Sequence, residues 1–111
     1  MFNKKDYPAF SYFMEMLPVL YDCVDDPNYA LAKSNDIYTQ FAKYAGEEWG
    51  DKYVKELKED ILKIKAKNID NADMQIILAQ QYKVKFRQKD IPIIFDNILK
   101  GIDCKDQAAL L

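Results

Sequence analysis

Apolar side chains recur at steps of three and four along nearly the whole chain, a spacing that leaves little besides packed helices. Phe10, Phe13, Met14, Leu17, Leu20, Tyr21 and Val24 form the first stripe. Asp6 is placed to cap it, and Pro8 suits its first turn. Pro18 falls inside the stripe, where its missing N–H and its ring predict a kink or a break. Asp25-Asp26-Pro27-Asn28 ends this segment and opens the next, with Asp26 as cap and Pro27 at the first helical position. Leu31, Ile37, Tyr38, Phe41 and Tyr44 carry the period on to Gly46, which is expected to stop it.

The third helix is expected to open with Glu47, Glu48 and Asp51 and to close with Lys63, Lys65 and Lys67, the order a helix dipole favours. Trp49, Tyr53, Val54, Leu57, Ile61 and Ile64 are its apolar stripe, and Glu56, Glu59 and Asp60 are expected on a solvated face. A fourth helix starts after Asp70 or Asn71 and buries Met74, Ile77, Leu78 and Tyr82. Tyr82 to Arg87 alternates with period two, but one strand has no partner, so this stretch reads as a helix end or an extended connector. Asp90 caps a last helix with Pro92 in its first turn, and Gly101 is expected to close it. Residues 102–111 form a tail that either docks or moves. The expected architecture is all-α, a single domain over residues 1–111, built as one bundle of about five helices with short connections. Three glycines in the chain fit that, because β-rich folds need more turn glycines.

Composition narrows the chemistry. Half of the 111 residues are hydrophobic, which separates the chain from disordered sequences. No run of about 18 apolar residues is present, so no membrane span is expected. Met1-Phe2-Asn3-Lys4-Lys5-Asp6 lacks the pattern of a signal peptide, and Cys23 and Cys104 make no disulfide framework; a cytoplasmic, reduced protein is expected. Histidine is absent, which removes the commonest general base and metal ligand together. Ser11, Ser34 and Thr39 stand in no nucleophile motif. Asp22, Asp25 and Asp26 cluster, but without EF-hand spacing, and capping accounts for them. We therefore expect no enzyme, no cofactor and no metal.

Two features suit binding. Lys83, Lys85, Arg87 and Lys89 form a basic alternation accompanied by the aromatic residues Tyr82 and Phe86, the best nucleic-acid feature of the chain. It stands against a net charge of −2 and a single arginine, so a nucleic-acid-binding regulator is the alternative rather than the leading expectation. The other is acidic and aromatic. Residues 1–51 carry nine acids against four lysines, a net of −5, whereas residues 52–111 carry a net of +3. Eight tyrosines and Trp49 are many for this length, and both residue types are favoured interface anchors.

On the stretches Asp22-Cys23-Val24-Asp25-Asp26-Pro27-Asn28-Tyr29 and Tyr44-Ala45-Gly46-Glu47-Glu48-Trp49, the chain resembles the small acidic helical immunity proteins of bacterial toxins. These include the partners of nuclease colicins and of contact-dependent growth-inhibition toxins. The resemblance implies a non-enzymatic inhibitor that covers the basic cleft of a toxin domain with carboxylates and aromatic rings. The contact residues expected on this reading are Asp22, Asp25, Asp26, Tyr29, Asp36, Tyr38, Glu47 and Glu48. An oligomeric scaffold subunit is a further alternative, and a homo-oligomer is compatible with either reading.

Overall fold

The computed structural model describes residues 2–23 and 37–110, with side chains placed for residues 2–20 and 37–103. Among these residues there is no strand. The chain forms α1 (Pro8–Glu15), α2 (Leu17–Cys23), α3 (Ile37–Trp49), α4 (Asp51–Ala66), α5 (Asn71–Tyr82) and α6 (Ile91–Leu110), with single 3-10 turns at Lys4–Asp6 and Gln88–Asp90. The protein is an all-α bundle, and no helix of the described residues is long and apolar enough to cross a membrane.

The break between α1 and α2 falls at Met16, two residues before Pro18, because the proline ring crowds the turn that precedes it. The fourth expected helix appears as α5, and its period-two continuation is an extended connector. Lys83 closes α5 in the left-handed conformation (φ 57°, ψ 32°). Val84 and Phe86 then turn partly inward, while Lys83, Lys85 and Arg87 stay exposed.

Glycine placement departs from expectation. Gly46 does not stop a helix: it is buried within α3, which runs three residues further. The stop is Gly50 (φ 93°, ψ 166°), in a region of backbone space open essentially to glycine alone. Glu47 and Glu48 therefore end α3 instead of opening α4, where the dipole would have welcomed them. Gly101 does not close the last helix either. It is buried inside α6, where a Cβ would run into the Thr39 carbonyl oxygen and lie 2.7 Å from Ala42 Cβ. The glycine lets α3 and α6 approach closely, and their packing is the most extensive between any two described helices. Thr39 Oγ1 donates to the Asn97 carbonyl at 3.0 Å across the same contact. The helix continues to Leu110, and Ile102, at the start of the expected tail, is buried.

Phe10, Phe13, Phe41, Leu57, Ile61, Leu78 and Ile98 form the fully buried centre. Helix α4 runs antiparallel to α6, since Lys58 pairs with Asp103 and Lys65 with Asp96. Both pairs are exposed enough that solvent screens them, so they orient the helices more than they stabilise them. Asp60 corrects the expectation of a solvated carboxylate: it is buried. Its Oδ2 accepts the Ala9 N–H at 2.9 Å and the Phe10 N–H at 3.1 Å, the orphan donors at the start of α1. Asp6, expected as the cap, lies in the preceding 3-10 turn, and Tyr7 at the cap position makes no side-chain cap bond. The capping carboxylate comes instead from another helix, about fifty residues further along the chain.

Candidate protein-binding face

The expected contact residues divide into three groups. Asp25, Asp26, Tyr29 and Asp36 lie outside the described residues, and Asp22 is within α2 with its side chain outside them. Glu47 and Glu48 are exposed on the last turn of α3. Tyr38 is the correction: it is 5% exposed, so its ring offers no contact surface. It packs edge-on against Phe41 and Phe86, with both centroids 5.6 Å away, because the α3 face that meets the core passes through position 38.

An aromatic cluster that sequence reasoning assigned to a helix stripe lies beside the two glutamates along the chain. Trp49 is the last residue of α3, Gly50 turns the backbone, and Tyr53 follows in the first turn of α4. The turn sets the indole edge-on to Tyr53, with centroids 5.2 Å apart and an interplanar angle of 86°. Tyr12 of α1 completes the group at 4.9 Å from Trp49 and 5.8 Å from Tyr53. These are favourable edge-to-face geometries, and they hold the three rings as one unit. Tyr12 is 43% exposed, while Trp49 and Tyr53 are half-buried beneath it. The signal available in the sequence was the i,i+4 spacing of Trp49 and Tyr53 across Gly50; the participation of Tyr12 was not legible.

The cluster is anchored from below. The Tyr53 hydroxyl donates to the Ala9 carbonyl at 2.7 Å, beside the Asp60 cap. Burial pushes this phenol well above the ordinary tyrosine range, and the neighbouring Tyr12 and Asp60 add to the effect. Tyr82 behaves similarly: burial raises its phenol, against the lowering effect of a 2.8 Å hydrogen bond with Ser11. The Tyr53 and Tyr82 hydroxyls thus find partners inside the molecule, whereas Tyr12 is exposed.

The basic alternative occupies the connector after α5. Lys83, Lys85, Arg87 and Lys89 are all exposed, and Arg87 Nε donates to Asp90 Oδ2 at 2.8 Å. The aromatic residues between and beside them face inward: Tyr82 is buried, and Phe86 packs on Tyr38. The stretch offers cations for phosphates but no free ring on which a base would stack.

Among the described residues no group of three or more Asp, Glu, Cys or His side chains is arranged to hold a metal ion. The described residues thus hold a partly exposed aromatic cluster next in sequence to two exposed carboxylates. Comparison of the chain with protein-family models, with curated proteins and with solved structures returned no match.

Proposed function

We propose that the protein is a non-enzymatic binding protein of the immunity or inhibitor kind, which neutralises a toxin-like partner by covering its basic face. The observation that carries this reading is the ring cluster of Tyr12, Trp49 and Tyr53, exposed at Tyr12, with exposed Glu47 and Glu48 immediately before Trp49 in the chain. Rigid aromatic area with a polar rim is the usual make-up of an interface hot spot. Carboxylates beside it would draw in a basic partner and fix its register. The acidic residues Asp22, Asp25, Asp26 and Asp36 enlarge the same negative half of the chain.

The test is affinity capture from the source cell, followed by binding kinetics with the captured partner. Glu47→Lys with Glu48→Lys is expected to slow association about tenfold at low salt, and much less at high salt. Tyr12→Ala is expected to speed dissociation by about tenfold, the mark of an anchor lost from a contact. A captured partner that binds both variants as it binds the parent chain would refute the assignment of this face. A nuclease whose activity is unchanged by stoichiometric addition of the protein would refute the inhibitory role.

A further inference from the structure

Residues 83–87 join α5 to the turn before α6 without belonging to a helix. Lys83 turns the chain, and Arg87 at the far end is extended (φ −74°, ψ 144°). Between them exposure alternates: Lys85 and Arg87 are exposed, Val84 and Phe86 half-buried. An extended segment has two edges, towards which the backbone polar groups of successive residues point in turn. One edge is used. The Val84 N–H donates to the Leu78 carbonyl at 3.2 Å, and Gln75 Nε2 donates to the Phe86 carbonyl at 2.8 Å, both partners belonging to α5. By the same alternation the Lys85 N–H and carbonyl and the Arg87 N–H point away from α5, and none of the three has a hydrogen-bond partner among the described residues. A groove of about 540 Å³ lies between the connector and the break between α1 and α2, with Met14, Leu17 and Pro18 across from Val84 and Phe86. Lys83 and Lys85 line it too, and neither forms an ion pair among the described residues. Glu15, the acid in its lining, is paired with Lys4 at 3.7 Å.

We infer that the connector takes up an extended acidic peptide as an added strand. A residue set opposite Lys85 exchanges both main-chain hydrogen bonds with it and projects its side chain on the same face, where a carboxylate meets the Lys85 ammonium. Lys83 adds a second cation at the start of the connector. The residues on either side of the paired one turn to the face of Val84 and Phe86, where apolar side chains meet apolar lining. The segment that fits therefore alternates acidic and apolar residues, with main-chain bonds supplying affinity and the side chains selecting it. A second copy of the connector would set lysine against lysine. Nucleic-acid phosphates would answer the cations and the N–H groups but offer no donor to the Lys85 carbonyl. Tyr82 is buried and Phe86 packs on Tyr38, so bases find no ring to stack on. None of these residues belongs to the Tyr12–Trp49–Tyr53 face, and the inference stands apart from that face.

Fluorescence anisotropy of a labelled synthetic peptide of alternating valine and aspartate, titrated with the full chain, tests this. Saturable binding is expected with a Kd of about 100 μM or below, and none for the matching peptide of valine and lysine. Lys85→Glu is expected to weaken binding at least tenfold while leaving circular dichroism unchanged, since the side chain is exposed. Charge alone would give that result, so the main chain is tested separately. N-methylation of the peptide's aspartate amides, which removes the donors to the Lys85 edge, is expected to abolish binding, whereas N-methylation of its valine amides is expected to spare it. Oligothymidylate serves as the nucleic-acid probe and is expected to bind at least tenfold more weakly than the peptide. No binding of the aspartate peptide up to about 1 mM, binding indifferent to Lys85→Glu, the same response to both methylation patterns, or oligothymidylate binding as tight as that of the peptide would each overturn the inference.

Discussion

Three residues decide local structure here in ways their neighbours in sequence do not advertise. Gly50 has open space where a Cβ would go, so replacement costs backbone strain alone. Gly50→Ala is expected to destabilise the protein by about 1–3 kcal/mol and to disturb the Trp49–Tyr53 contact, visible as a shift in tryptophan fluorescence. Asp60 satisfies two buried N–H groups at the start of α1. Asp60→Ala leaves both without an acceptor and is expected to cost about 2–3 kcal/mol in denaturant unfolding. Tyr53 contributes a pH dependence whose sign follows from its raised phenol. Above about pH 10 an unfolded chain sheds its tyrosine protons while folded Tyr53 keeps its own. The stability associated with that proton is therefore complete below about pH 10 and is lost as the pH rises beyond it. Melting temperatures measured from about pH 8 to pH 11 are expected to fall over the upper part of that range, and to fall less steeply in Tyr53→Phe. A profile identical in the two proteins would assign the alkaline loss to other groups.

At the scale of elements, the contact between α3 and α6 rests on one missing methyl group. Gly101→Ala should gain about 1 kcal/mol of helix propensity. That gain is smaller than the overpacking cost of about 1–3 kcal/mol or more, because the obstacle is the Thr39 backbone and cannot swing aside. The net expectation is a lower melting temperature. The N-terminal arm is tied down from α1, where Ser11 Oγ donates to the Lys4 carbonyl at 2.7 Å, and from α5. Gln81 accepts the Lys4 N–H and donates to the Phe2 carbonyl, both at 3.0 Å, while the Phe2 ring stacks on Tyr7 at 4.9 Å. Gln81→Ala is expected to release residues 2–6, seen as faster amide exchange there, for a modest cost of about 1–2 kcal/mol. The extended connector after α5 was legible because its alternation is local. Its inward residues were not assignable to a neighbour, because Phe86 packs on Tyr38, which lies almost fifty residues earlier.

For the whole molecule, the uneven charge distribution is a property of the sequence, and its consequence is kinetic. If the negative half meets a basic partner, association should slow with added salt while dissociation changes little. Measured rates that ignore ionic strength would separate the acidic residues from recognition. Periodicity, prolines and the scarcity of glycine were enough to determine an all-α bundle, the break near Pro18, the start of α5 and the connector that follows it, since each depends on residues within a turn or two of one another. Tertiary structure alone decided which glycine ends a helix and which admits a neighbour, that Asp60 caps a distant helix, that Tyr38 is core, and that Tyr12 joins Trp49 and Tyr53 at the surface. Those outcomes depend on which surfaces meet in space, and burial changes the cost of a charge, a hydroxyl or a methyl group by more than any local preference does.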